Sequence, residues 1–116
     1  MASLSKVVPS GSTDGSPVKI AATATAGTTF HTAGSGTTFI DEVTMYLTNT
    51  DSAERTVTIE WTAATAPDFN LKFKVPAGET ILAIAGLLVT NSKTVKAFCD
   101  AANVVNMVGY INRLSN

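Results

Sequence analysis

Residues 42–62 read EVTMYLTNTDSAERTVTIEWT. Val43, Met45 and Leu47 alternate with Glu42, Thr44, Tyr46 and Thr48, and Val57, Ile59 and Trp61 alternate with Thr56, Thr58, Glu60 and Thr62. A period of two marks strands with one buried and one open face. Between the two runs, Asn49-Thr50-Asp51-Ser52-Ala53-Glu54 is a cluster of turn formers, so an antiparallel hairpin is the simplest expectation. Leu71, Phe73 and Val75 alternate with Lys72 and Lys74, and Pro76-Ala77-Gly78-Glu79 turns the chain into the apolar run Thr80 to Ala85, a second expected hairpin. Val95, Ala97 and Cys99 alternate with Thr94, Lys96, Phe98 and Asp100; after a break at Ala101-Ala102-Asn103, a last strand from Val104 to Arg113 makes a third.

Upstream, Val18 to Thr25 and Thr28 to Thr32 flank Ala26-Gly27 and are rich in β-branched Thr, whose stiff χ1 suits a pleated surface. No window carries an apolar stripe at i, i+3, i+4 and i+7. Short strands separated by turns over residues 17–116 predict an all-β fold, a single antiparallel β-sandwich of jelly-roll or Greek-key type. Its expected core contains Val43, Met45, Leu47, Val57, Ile59, Trp61, Leu71, Phe73 and Val75, which fall in phase on consecutive strands.

Residues 1–16 contain Ser3, Ser5, Ser10, Gly11, Ser12, Gly15 and Ser16 with Pro9, followed by Pro17. So little apolar area to offset ordering entropy predicts an extended N-terminal arm outside the domain. Leu4, Val7 and Val8 are the side chains such an arm would place against a neighbouring subunit.

The chain has 116 residues, the size of one domain, with eight Lys and Arg against nine Asp and Glu and a net charge of −1. That balance argues against nucleic acid as a ligand, since phosphate binding needs a basic field. Charged residues make up 15% of the chain, against roughly 25% in an average soluble domain, so Thr, Ser, Asn and Ala must cover much of the surface. The longest apolar run, Ile81 to Val89, is interrupted by Gly86 and is far short of the ~20 residues that span a bilayer. The first residues lack the apolar stretch of a secretory signal, so synthesis in the cytoplasm and no membrane partner are expected. One Cys and one His rule out an internal disulfide and a Cys/His zinc cage within one chain.

Little chemistry is legible. His31 lies in Thr28-Thr29-Phe30-His31-Thr32 with no nucleophile motif beside it and reads as a surface or strand-end residue. Cys99 is in phase with Val95 and Ala97 and reads as a small hydrophobe. Asp41 and Glu42 are adjacent on a strand and point to opposite faces, so they cannot work on one substrate as paired carboxylates do; a solvated strand entrance is expected. No phosphate loop or EF-hand spacing occurs. The expectation is a non-enzymatic protein without catalytic residues, metal ligands or cofactor.

Three aromatics fall on the face opposite the expected core: Tyr46, Phe98 and Tyr110. They face solvent, lie under a loop, change face through a bulge that flips the parity, or form a subunit-contact patch, where Tyr and Phe are enriched.

The stretches LSKVVPSGSTDGSPVKIAATATAGTTFHTA (4–33), FIDEVTMYLTNTDSAERTVTIEW (39–61), the Pro-Ala-Gly turn before an apolar strand (76–85) and VKAFCDAANVVNMVGYINRL (95–114) resemble small β-sandwich structural proteins of tailed bacteriophage virions. The resemblance implies a virion component, in the first place a capsid cement or decoration protein. Such a protein binds the outer capsid surface, with the major capsid protein and further copies of itself as partners. A neck, head–tail connector or tail-associated position is the alternative within that class. A carbohydrate-binding host-attachment module, using exposed aromatics as stacking platforms, is the alternative outside it.

Overall fold

The computed structural model describes residues 2–115. Nine strands are present among them: β1 (Ser3–Val7), β2 (Val18–Lys19), β3 (Thr28–Thr32), β4 (Phe39–Asn49), β5 (Arg55–Thr62), β6 (Asn70–Val75), β7 (Thr80–Val89), β8 (Thr94–Cys99) and β9 (Val105–Ser115). They form two antiparallel sheets packed as a β-sandwich. The five-stranded sheet runs β1-β9-β4-β7, with β2 on the same edge of β9 as β1, and the four-stranded sheet runs β3-β8-β5-β6.

The period-two sets meet across the sandwich. Val43, Met45, Leu47, Met107 and Ile111 from the first sheet face Phe30, Val57, Ile59, Val75, Val95, Ala97 and Cys99 from the second, all buried. Trp61, Leu71 and Phe73 are half-buried at the margin of this core, where the sheets open.

The three expected hairpins are instead crossings between sheets. β4, β7 and β9 belong to one sheet, while β5, β6 and β8 belong to the other, so the turns at 50–54, 76–79 and 100–104 each carry the chain over the core. Alternation fixes which face of a strand is buried but not its partner: two strands in a hairpin and two strands facing each other across ~10 Å of core give the same pattern. The Asn49 side chain shows why the first turn crosses. It is buried, and its amide nitrogen donates to the carbonyls of Ala53 at 2.8 Å and Val75 at 3.0 Å, tying the end of β4 to the end of β6 in the opposite sheet. The hairpin that does form joins β5 and β6 through residues 63–69.

Two further expectations change. Strand pairing over 18–25 is confined to Val18–Lys19, because after Ile20, which is buried in the core with its N–H donating to the Val105 carbonyl, the chain crosses to the second sheet, where Thr25 and Gly27 lie against Glu60. There the Ala22 carbonyl accepts from the Cys99 N–H, and Gly27 sits on the Ala97 main chain, where a Cβ would come within 2.5 Å of backbone atoms. The expected arm over residues 1–16 is replaced, within the described residues, by an edge strand and a loop. β1 pairs with β9 from Ser3↔Ser115 to Val7↔Ile111, and the Gly11 N–H donates to the Phe30 carbonyl. The Ser and Gly content that removes side-chain contacts leaves main-chain pairing open, and β9 offers a free edge.

Candidate functional site

Two features stand out: a buried polar cluster and an open apolar sheet face. The cluster joins four segments. The Ser10 N–H donates to His31 Nδ1 at 3.0 Å, so the ring proton lies on Nε2, which donates to Asp41 Oδ2 at 2.7 Å. Arg113 donates from Nε to Asp41 Oδ1 at 2.7 Å and from Nη2 to Oδ2 at 2.8 Å, a bidentate pair, and its guanidinium lies 5.2 Å from the centre of the Phe39 ring. Burial pushes the Asp41 carboxyl up, but the hydrogen bonds and charges of Arg113 and His31 outweigh it and hold the group below its ordinary range.

His31 and Asp41 are therefore not the surface and solvated strand-entrance residues that the sequence suggested: they are 1% and 0% exposed. Their charges and dipoles are satisfied inside the fold, which is what allows burial. The arrangement lacks a reaction site. Both imidazole nitrogens are engaged, one with a main-chain N–H, and no substrate hydroxyl could reach the ring to lose a proton. The cluster braces the N-terminal loop, β3, β4 and β9 against one another.

A second buried acid, Glu60, serves the covering loop in the same way: its carboxylate accepts from Thr25 Oγ1 at 2.5 Å and from the Gly27 N–H at 2.6 Å. Cys99 is buried, and burial pushes its thiol up, away from the thiolate a nucleophile needs. Among the described residues, no three His, Cys, Asp or Glu side chains gather where they could hold a metal ion.

The outer face of the β1-β9-β4-β7 sheet is different. Register places Leu4, Leu114 and Ile40 in one row across β1, β9 and β4. Lys6, Asn112, Glu42 and Leu88 form the next row, then Tyr110, Thr44 and Ala85, then Val108, Tyr46 and Leu82. Leu4, Tyr46, Leu82, Leu88 and Tyr110 are all exposed. Among the described strand residues, charge enters this face at Lys6, Lys19 and Glu42. The β7 side of it is bent by two irregularities of register, one of which leaves Gly86 unpaired with φ +78°, a backbone conformation that favours glycine.

The six candidate contact residues divide. Tyr46, Tyr110 and Leu4 share this face, the two tyrosines as diagonal neighbours on β4 and β9. Phe98 is on the other sheet, half-buried opposite Thr58, on the side where Thr25 and Gly27 bond to Glu60. Val7 turns inward against the core, and Val8 is exposed in the loop after β1. Ile40, Leu82, Leu88 and Leu114 complete the face and went unremarked in the sequence. Ile40 and Leu114 were legible there, since each is in phase with Tyr46 or Tyr110 on the same strand. Leu82 and Leu88 were not, because the bulges in β7 break its parity.

Comparison with protein-family models, with curated proteins and with solved structures gave no match for this chain.

Proposed function

We propose that the protein is a non-enzymatic structural component of a tailed-bacteriophage virion, a cement or decoration protein that docks on the outer capsid surface and stabilises neighbouring major capsid subunits. The observation that carries this reading is the outer face of the β1-β9-β4-β7 sheet. A domain of 116 residues leaves Leu4, Tyr46, Leu82, Leu88 and Tyr110 exposed on one side. Contiguous apolar surface of that kind marks an interaction site. Two further points support it: the resemblance of the four quoted stretches to virion proteins, and the sparse surface charge, which suits a subunit held mainly by apolar burial.

The fold is read here as a jelly roll. Counting from β2, the sheet orders 2-9-4-7 and 3-8-5-6 interleave early and late strands, and only β5 and β6 are joined within a sheet, which is how eight strands wind in that topology. The mechanism is mass action: a partner that binds the assembled lattice and not the free subunits stabilises the lattice by its binding free energy at every site.

Stoichiometry in purified particles tests the reading. A copy number commensurate with the capsid lattice supports it, a single ring of copies moves the protein to the neck or tail, and absence from particles overturns it.

A further inference from the structure

On the outer sheet face, Leu4, Ile40, Leu88 and Leu114 surround a shallow cleft of about 330 Å³ whose floor carries Glu42 and Asn112. That volume is at the low end of small-ligand sites, enough for a few side chains and too small for a nucleotide-sized group. Its polar groups are unbalanced. Asn112 Nδ2 donates to Glu42 Oε1 at 3.2 Å, while Asn112 Oδ1 is shielded from solvent and has no hydrogen-bond partner. Glu42 takes part in no ion pair among the described residues. The cleft thus offers a carboxylate inside an apolar rim, backed by an amide carbonyl that adds negative potential without being open to solvent. A hydrophobic segment alone would bury the carboxylate unpaired, at high cost.

We infer that this cleft receives a cationic side chain, lysine or arginine, presented by an apolar segment of the partner protein, with the ammonium or guanidinium donating to Glu42 and the neighbouring apolar groups packing on Leu4, Ile40, Leu88 and Leu114. The choice of a protein segment as occupant rests on the docking role proposed for this face. The requirement for a cation joined to an apolar body rests on the cleft itself. A long basic side chain meets both demands, because its methylene stem packs on apolar surface while its head stays polar. The remainder of the face, around Tyr46 and Tyr110, would supply apolar contact area, and Glu42 would set the register and reject an acidic partner.

The test uses two probes of equal chain length and opposite charge, n-hexylammonium and n-hexanoate, titrated into the whole isotope-labelled protein at low salt and followed by amide NMR shifts. Hexylammonium should shift residues 40, 42, 88, 112 and 114 and bind at least about fivefold more tightly than hexanoate, the scale of one partly exposed ion pair. Glu42→Gln should abolish the preference, and Asn112→Asp should increase it; the second variant answers the question if the first fails to fold. Equal affinity for the two probes, shifts centred elsewhere, or an Asn112→Asp variant with no greater preference would overturn the inference. A protein absent from particles that keeps the preference would lose the proposed function and retain the site, whereas one present on particles without it would lose the site alone.

Discussion

His31 Nε2 lies 2.7 Å from Asp41 Oδ2, and neither residue is open to solvent. In a chain with a single His, this contact decides the histidine's role, because the other ring nitrogen already holds the Ser10 N–H. The imidazole is a connector between a loop and two strands.

Removing the carboxylate charge should therefore be costly. Asp41→Asn leaves Arg113 without its counter-charge and is expected to lower the unfolding free energy by about 3 kcal/mol, the lower end for a broken buried pair because Arg113 is partly exposed. Urea denaturation measures it, and a loss below about 1 kcal/mol would show that solvent compensates Arg113 fully.

The same group gives stability a pH dependence of definite sign. Its folded pKa lies below its ordinary value of 3.8, so the folded state binds the proton less readily than the unfolded chain does. The stabilisation is complete above that ordinary value and is lost as pH falls from there through the lower folded value. Melting curves between about pH 5 and pH 2 should show wild type losing more stability than Asp41→Asn; parallel curves would remove Asp41 from the acid limb.

Deleting residues 2–16 strips β1 from β9 and the Ser10 amide from His31. The truncated protein should be destabilised by at least about 2 kcal/mol, since an edge strand and a buried acceptor lose their partners together. An unchanged melting temperature would mean that this segment serves as a detachable arm.

Cys99 should behave as a buried thiol. At pH 8 a disulfide reagent should modify it about 100-fold more slowly in the folded protein than in urea, which corresponds to an opening free energy of ~2.8 kcal/mol. Rapid reaction without denaturant would contradict its burial and the direction of its titration shift.

The docking role proposed above predicts that replacing Tyr46 and Tyr110 together by Ser releases the protein from particles while leaving its melting curve intact, as both side chains are exposed. Phe98→Ser, on the other sheet, should not release it. Attachment of the wild type should survive about 1 M NaCl, where the Debye length is ~3 Å. Release by salt would shift the weight of docking from apolar area to charge.

Strand identity and facing were legible in the sequence because a strand states its buried face locally: six of the nine expected core residues, from Val43 to Val75, are fully buried, and Trp61, Leu71 and Phe73 are half-buried. Partnership was not legible, since β4 pairs with β7 and β9, tens of residues away, and nothing at residues 49–54 distinguishes a turn within a sheet from one between sheets except what the Asn49 side chain reaches after folding. The buried cluster was hidden for the same reason. His31, Asp41 and Arg113 lie 10 and 72 residues apart, and each looks solvent-facing until the others are beside it. The open apolar face was half legible: Tyr46 and Tyr110 show their parity, but parity cannot tell the open sheet from the one over which Thr25 and Gly27 lie.

The crossings between sheets also govern how the chain folds in time. Ser3 pairs with Ser115, and β9 lies between β1 and β4, so the first sheet has no centre until its last strand arrives. Only β5 and β6 can zip locally. Such long loop closures place folding in the slow, millisecond-to-second range of small domains. They also make it all-or-none during translation: a nascent chain stalled before residue 105 holds β4 and β7 without the strand that belongs beside β4. A folded domain thus reports that synthesis has passed β9.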